Sequence, residues 1–316
     1  MSSVDLKDAE QQVVEARERL LRRDHLQRLL AAAEAELSRE GAALAGLRAE
    51  LKKEGEDVQR LEGTSLAGLL HALRGTKEER LRREREEHLR ARLRHDEAAD
   101  QVASLRREAG ELRRQIEELG DPSADHRAAL DRKRLLLDGT ESAAARQVER
   151  LGDRLAEERS RQHDLREIVA AGEALETAVD RVLKSLESAE GWGVLDVFAG
   201  GTLTSMIKHD RLDEARRVLP EAKAQMGRFR RALGELEGPE LRVPEFGALQ
   251  EFGDVWFDGG FTDLLVQDKI ESALSDGWAA RRRVGKLVEE LRAKLPAGER
   301  RIATLEEELD RAVEAA

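Results

Sequence analysis

Apolar side chains recur along the first part of the chain in two interleaved series, each with a period of seven residues. The members between residues 26 and 61 are Leu26, Leu30, Ala33, Leu37, Leu44, Leu47, Leu51, Val58 and Leu61. Two such series form an apolar seam down one side of a helix. This stretch is therefore predicted to be a long helix that packs lengthwise against another.

The seam has one irregularity and several repeats. An earlier series of Leu6, Val13 and Leu20 changes phase between Arg22 and Gln27. The seven-residue pattern returns over residues 102–119 and, at multiples of seven, over residues 137–186. We predict helices over about residues 5–62 and 77–119, and a short connection between them favours antiparallel pairing.

Glycine and proline mark the predicted turns of this rod. The tip of the helical hairpin is expected at about residues 63–76, between two glycine-containing breaks. Pro122 removes a helical N–H and predicts a turn near residues 120–123. A third turn is expected near residues 138–140, where Thr140 can cap the next helix. Residues 1–190 are thus predicted to form the rod.

All nine aromatic residues of the chain lie between residues 192 and 278. A compact core needs large rings to fill its volume, whereas a two-helix seam does not. Residues 191–280 are therefore predicted to form a small helical head, entered through sharp turns at the glycines of residues 191, 193, 200 and 201. Its helices are expected near 202–209, 211–237 and 245–256.

A long helix over about residues 261–294 is expected to leave the head. Pro296 should separate it from a final short helix over residues 299–314, because proline interrupts helical hydrogen bonding. Residues 281–316 are accordingly predicted to return along or beside the rod.

The composition favours long, solvated helices. Charged residues make up 38% of the chain and aromatic residues 3%, yet the net charge is only −11. Charges of alternating sign are typical of a helix face rather than of a disordered tail. The absence of cysteine, of a secretory signal and of a long apolar run leads us to expect a cytoplasmic protein.

The glycines of the head do not form a phosphate-binding loop. Gly191 and Gly193 would need a third glycine where Asp196 stands, and Lys208 lies too far from Gly201 and is followed by histidine. A structural role for these glycines is expected instead. The sequence nominates no catalytic residue, cofactor site or metal site with the required set of side chains.

His209 and Asp213 stand four residues apart on one face of a predicted helix in the head, a spacing that could hold a metal or serve acid–base chemistry. A metal would need further ligands, so a polar cluster at a helix start is the simpler interpretation. A metal-binding or catalytic head around His209 stays an alternative. The aromatic residues that we consider for the core or surface of the head are Trp192, Phe198, Trp256, Phe257 and Phe261.

The tip combines leucines with basic residues. Its candidate interaction residues are Leu66, Leu69, Leu70, Leu73, Arg74 and Lys77. Burying each leucine stabilises by about 1.5–3 kcal/mol, so we expect the hairpin itself, a partner protein or lipid to cover them. Residues 74–94 carry nine basic and five acidic side chains, which makes an anionic membrane surface a possible partner.

Nucleic acid is disfavoured as a partner. Single-strand binding needs aromatic side chains beside basic ones. The aromatic head carries 10 basic and 16 acidic residues, so the two requirements fall in different parts of the chain.

Two segments resemble a set of bacterial coiled-coil proteins of uncharacterised function. They are DVQRLEGTSLAGLLHALRGTKEERLRRE at residues 57–84 and LESAEGWGVLDVFAGGTLTSMIKHDRLDEA at residues 186–215. The resemblance implies a long coiled coil with a head, and it implies no activity, cofactor or catalytic residue.

We therefore expect an all-α protein, a long antiparallel coiled-coil hairpin with a small aromatic-rich helical head. The expected function is that of a non-enzymatic scaffold or interaction protein that docks through its tip and head. The protein partner is unknown, a homodimer is conceivable, and a peripheral membrane protein that uses its tip is the first alternative.

Overall fold

The computed structural model of the protein describes residues 3–63, 74–136, 143–199, 203–235 and 270–315. Nearly all of them are helical, and no strand occurs within these ranges. The helices are α1 (Ser3–Gly63), α2 (Arg74–Leu119), α3 (Pro122–Leu136), α4 (Ala143–Ala199), α5 (Leu203–Gly234) and α6 (Ile270–Glu314). The all-α fold class expected from the sequence is thereby confirmed.

Helices α1 and α2 run in opposite directions. Arg94 Nη2 of α2 lies 3.1 Å from Glu50 Oε1 of α1, and Arg113 further along α2 pairs with Glu34 earlier in α1. Leu26, Ala33 and Leu112 are buried between the two helices. The apolar seam positions of α1 beyond residue 36 are only half-buried, because a second helix covers only one side of them.

Helix α3 continues the path of α2 along α1. Gly120 adopts φ +64°, which favours glycine, and Asp121 Oδ1 accepts the Ser123 N–H at 3.2 Å as an N-cap. Pro122 follows as the first residue of α3, where its missing N–H costs nothing. Asp125 then pairs with Arg19 of α1, so α2 and α3 occupy successive stretches of one long partner.

Helix α4 lies beside α1 in the same direction and also contacts α5 and α6. Its C-terminal half shares the largest apolar core with α5 and α6, which both run antiparallel to it. Gly172 lies at the tightest point of this core, since a Cβ there would overlap Val288 and lie 2.9 Å from Phe229 Cε2. The fully buried members include Leu175, Leu183, Leu186, Phe229, Leu287 and Leu291.

A second core joins the first turns of α1 to the last turns of α6. Leu6 and Val14 of α1 share it with Leu155 of α4 and with Leu309 and Val313 of α6. On the surface beside it, Lys7 Nζ lies 2.7 Å from Asp310 Oδ1. Helix α6 therefore extends along α4 from one core to the other.

Two of the expected helix boundaries are absent, and a proline lies inside each helix concerned. Helix α5 runs unbroken from Leu203 to Gly234, so the predicted division between helices over 202–209 and 211–237 is wrong, although the expected continuity through Pro220 is confirmed. Helix α6 runs unbroken through Pro296, so the predicted separate helix over 299–314 is wrong. A proline costs a helix interior about 3 kcal/mol. The buried neighbours Leu219 and Ala222 of α5, and Leu291 of α6, offset that cost through core packing.

Two of the four glycines at the predicted entrance to the head also form no turn, and Gly200 and Gly201 lie outside the described residues. Helix α4 continues through Gly191 and Gly193 and ends at Ala199. The sharp turn expected at these two residues is therefore wrong. Among the described residues, no helix has the length and apolar character needed to cross a membrane.

Candidate functional site

The phase change between Arg22 and Gln27 brings a histidine into the interior. His25 of α1 is only 4% exposed, next to the buried Leu26. It faces α4 in the stretch of residues 160–168. An uninterrupted seven-residue pattern would place an apolar side chain at this position between α1 and α4. The phase change places the polar ring of His25 there instead.

His25 faces two carboxylates of α4. Its Nε2 lies 3.8 Å from Asp164 Oδ1, which is too long for a hydrogen bond. Glu167 follows Asp164 by three residues and therefore lies on the same face of α4. One histidine nitrogen and one oxygen from each carboxylate all lie within 4.8 Å of one another.

Arg22 supplies the compensating positive charge. Its Nη1 and Nη2 each donate to one oxygen of Glu167 at 2.5 Å, and Nη1 lies 3.7 Å from Asp164 Oδ1. On the outer side, His163 Nε2 lies 3.6 Å from Glu167 Oε1. Glu167 thus has positively charged or polar neighbours on two sides, Arg22 and His163. Asp164 has longer contacts, of 3.7 Å with Arg22 and 3.8 Å with His25.

Burial shifts the pKa values of the two facing groups in opposite directions. Burial lowers the pKa of His25 although Asp164 opposes the shift, so the imidazole is neutral at neutral pH. Burial raises the pKa of Asp164, which His25 and Arg22 partly counteract. Burial would also raise the pKa of Glu167, but the nearby His163 ring and the hydrogen bonds from Arg22 hold that pKa at about 2.

Two atoms of the cluster lack hydrogen bonds. His25 Nδ1 and Asp164 Oδ1 are buried and have no hydrogen-bond partner among the described residues. Buried polar atoms are nearly always paired, so each such exception calls for an explanation. Asp164 Oδ1, the oxygen that His25 Nε2 approaches, therefore has unused ligand capacity.

A cavity of about 340 Å³ reaches the cluster and includes His25 and Asp164 in its lining. Ser160 and Glu157, one and two turns before Asp164 on α4, also line it. A second cavity, of about 660 Å³, includes Arg22 and His163 in its lining. The His25 side chain is accordingly buried, Asp164 and Glu167 are partly exposed at 20% and 41%, and the cluster is accessible to a small ion or to water.

A second group of acids, Glu54, Glu84 and Glu87, also brings its oxygens within 4.8 Å of one another, between α1 and α2. It contains no histidine, and none of its atoms is a buried group without a hydrogen-bond partner. The His25 cluster is thus the better candidate for holding a metal within the described ranges.

The residues singled out from the sequence are placed elsewhere. Arg74 and Lys77 lie in the first turn of α2, Trp192 and Phe198 lie near the end of α4, and His209 and Asp213 lie one turn apart on α5. The residues that lie outside the described part of the chain are Leu66, Leu69, Leu70, Leu73, Trp256, Phe257 and Phe261. The candidate roles of the tip and the head stay predictions.

Sequence reasoning missed His25, Asp164 and Glu167. One signal was available, because the phase change near residues 22–27 contains His25. The two carboxylates could not be selected, since 66 acidic residues offer every spacing. Comparisons with protein-family models, with curated proteins and with solved structures find no match for this chain.

Proposed function

We propose that this chain is a non-enzymatic scaffold or interaction protein of the cytoplasm. In this proposal it is a long antiparallel coiled-coil hairpin with a small aromatic-rich helical head, and it docks other proteins through its tip and head. The support comes from the dimensions and the cross-linking of the described helices. Helix α1 has 61 residues, which corresponds to a length of about 90 Å.

Arginines that bridge three helices are the observation on which the proposal depends. Arg159 of α4 donates to Glu18 of α1 at 2.9 Å and to Glu306 of α6 at 2.6 Å. Arg231 of α5 donates to Glu108 of α2 at 2.5 Å and also pairs with Glu36 of α1. Bidentate and bridging arginine pairs fix relative positions, and a spacer that holds two docking surfaces apart needs that rigidity.

The scaffold role is tested by affinity capture from the native organism with wild type and with the double variant Leu69→Glu/Leu70→Glu. We expect the wild type to retain a defined partner that the tip variant loses. The matched control is Leu89→Glu, because Leu89 is already 54% exposed on α2. Equal recovery of the same proteins by all three forms would contradict docking through the tip.

A homodimer is part of the proposal, since long apolar series often pair between chains. Light scattering of the purified protein over a wide concentration range measures its mass directly. A monomer mass at the highest concentration would rule out the homodimer. Docking of other proteins would then remain as the proposed function.

A peripheral membrane protein is the alternative that the leucines and basic residues of the tip favour. Flotation on anionic vesicles tests it, with the same tip variant as control. Flotation of the wild type alone would support the membrane role, and no flotation would remove it. A metal-binding or catalytic head around His209 is the second alternative, which metal analysis of a His209→Gln variant tests.

A further inference from the structure

The distance between His25 Nε2 and Asp164 Oδ1 is close to the separation of two ligand atoms that bind one metal ion. His25 Nε2 and Asp164 Oδ1 are 3.8 Å apart. They do not bond to each other, and Asp164 Oδ1 has no hydrogen-bond partner among the described residues. Two ligands of one tetrahedral ion with bonds of about 2.1 Å lie roughly 3.4 Å apart. A shift of a few tenths of an ångström would therefore bring both atoms to one ion.

Glu167 supplies a third donor from the same helix face as Asp164. Its nearest oxygen lies within 4.8 Å of both other donor atoms. The set is one neutral imidazole nitrogen and two carboxylate oxygens, contributed by two helices that pack side by side. Such a mixed set suits zinc and its neighbours in the transition series, whereas calcium and magnesium prefer oxygen ligands alone.

We propose that His25, Asp164 and Glu167 bind one divalent transition-metal ion, with zinc as the preferred ion. Three protein ligands leave one coordination position for water or another small ligand. The cavity of about 340 Å³ that His25 and Asp164 line gives that position access from solvent. The site lies between α1 and α4 and is independent of the tip and head on which the proposed scaffold role depends.

Arg22 is the competitor for this site. It binds both oxygens of Glu167 and approaches Asp164, so it neutralises the two carboxylates in the absence of an ion. An incoming dication must loosen Arg22 from Glu167 and also meets its positive charge. Removal of Arg22 should therefore strengthen metal binding, whereas removal of a ligand should weaken it. These opposite directions distinguish a metal site from an ordinary buried ion pair.

The test uses the full chain without an affinity tag, titrated with zinc chloride in a calorimeter and, separately, with magnesium chloride. We expect one zinc ion per chain at this site and much weaker binding of magnesium. His25→Gln and Asp164→Asn should each weaken zinc binding by about tenfold or more, and Arg22→Gln should tighten it. Circular dichroism checks that each variant is folded.

His95→Gln is the matched control, because His95 also lies beside an aspartate, with its Nδ1 3.1 Å from Asp96 Oδ1. No third ligand converges on it within the described part of the chain, so its loss should leave the affinity unchanged. An equal loss of binding in His95→Gln and His25→Gln would assign the ion to surface histidines and overturn the proposal. Unchanged affinity in His25→Gln would do the same.

Cobalt(II) gives a readout that needs no variant. A tetrahedral site with one nitrogen and several oxygen ligands should produce a visible absorption band that one equivalent of zinc removes. If His25→Gln does not fold, the cobalt spectrum of the wild type still shows whether the chain binds a metal ion in a tetrahedral site. A wild-type chain that shows no such band and binds no zinc at millimolar concentration overturns the site.

Discussion

Lys133 Nζ of α3 lies 2.5 Å from Glu10 Oε2 of α1, and both side chains are at most 5% exposed. Apart from each other, neither group has a hydrogen-bond partner among the described residues. On the other side of Glu10, its Oε1 packs against Gly152 of α4, where a Cβ would overlap that oxygen. The pair is thus an ion pair sealed between three helices, and burial raises the pKa of Glu10 although Lys133 counteracts the shift.

Lys133→Met should lower the free energy of unfolding by about 3–5 kcal/mol, because it leaves the Glu10 carboxylate buried without its counter-charge. The double variant Glu10→Met/Lys133→Met should recover most of that loss. Urea denaturation at neutral pH measures both effects. A double variant that is less stable than Lys133→Met would contradict this account of the pair.

The loss in Lys133→Met should also shrink as the pH is lowered. A carboxyl with a raised pKa in the folded state makes a stabilising contribution that is complete below its unfolded pKa and is lost as the pH rises through its folded pKa. Arg134→Met is the matched control on α3, since Arg134 and its partner Asp131 are both 72% exposed. Arg134→Met should change the free energy of unfolding by no more than about 0.5 kcal/mol, both at neutral pH and at the lowered pH.

Gly172→Ala should destabilise the protein by about 1–3 kcal/mol, because the added Cβ would force Val288 and Phe229 out of their packed positions. Gly46→Ala is the same substitution in α1, at a residue with nothing within 4 Å of the added Cβ. It should stabilise by up to about 1 kcal/mol through the higher helix propensity of alanine. Thermal and urea unfolding of the two variants should therefore move in opposite directions.

Arg231→Lys should cost about 2–3 kcal/mol of unfolding free energy. The guanidinium donates through Nε and Nη2 to Glu108 and also pairs with Glu36, and a single ammonium cannot reproduce that geometry. Arg113→Lys is the control, because Arg113 is 55% exposed in its pair with Glu34. The control should change stability by less than about 1 kcal/mol, and equal effects in both variants would contradict the bridging role.

Glu167→Gln should alter the acid dependence of unfolding. The pKa of Glu167 falls from 4.5 to about 2 in the folded chain. A depressed carboxyl pKa stabilises the fold above the unfolded value and loses that contribution as the pH falls toward the folded value. The melting temperature of the wild type should thus exceed that of Glu167→Gln at neutral pH and converge with it between pH 4.5 and 2.

The periodic part of the sequence was sufficient to predict α1 and α2, whose expected ranges of about 5–62 and 77–119 lie close to the observed ones. Residues such as Leu26, Ala33 and Leu112 belong to the seven-residue series and are buried, because a repeated apolar position has only one face of a long helix on which to lie. The turn at Gly120 was equally predictable, since glycine, a capping aspartate and proline act together there.

Local breaker signals were less reliable than periodicity. Pro296 removes one hydrogen-bond donor from the helix, but packing against α4 keeps α6 continuous through it. Gln162 of α4, for example, donates to the carbonyl oxygen of Leu295 beside Pro296 at 2.9 Å. Such support comes from residues far away in sequence, so a window around the proline does not contain it.

The His25 cluster was not predictable for a different reason. Its members are 139 and 142 residues apart between α1 and α4, and the offset at which those helices lie side by side follows from the whole bundle. Only the phase change marked His25 as unusual, and nothing local distinguished Asp164 or Glu167 from the many other acids.

The core that contains both Leu6 and Leu309 has a consequence for synthesis on the ribosome. Chain growth at about 5–20 residues per second separates these two leucines by roughly 15–60 s. Over that interval the first turns of α1 have emerged without the α6 side chains that complete their cover. Nascent chains of this protein should therefore need a holding chaperone, or early docking of α3 and α4, to keep the start of α1 from aggregating.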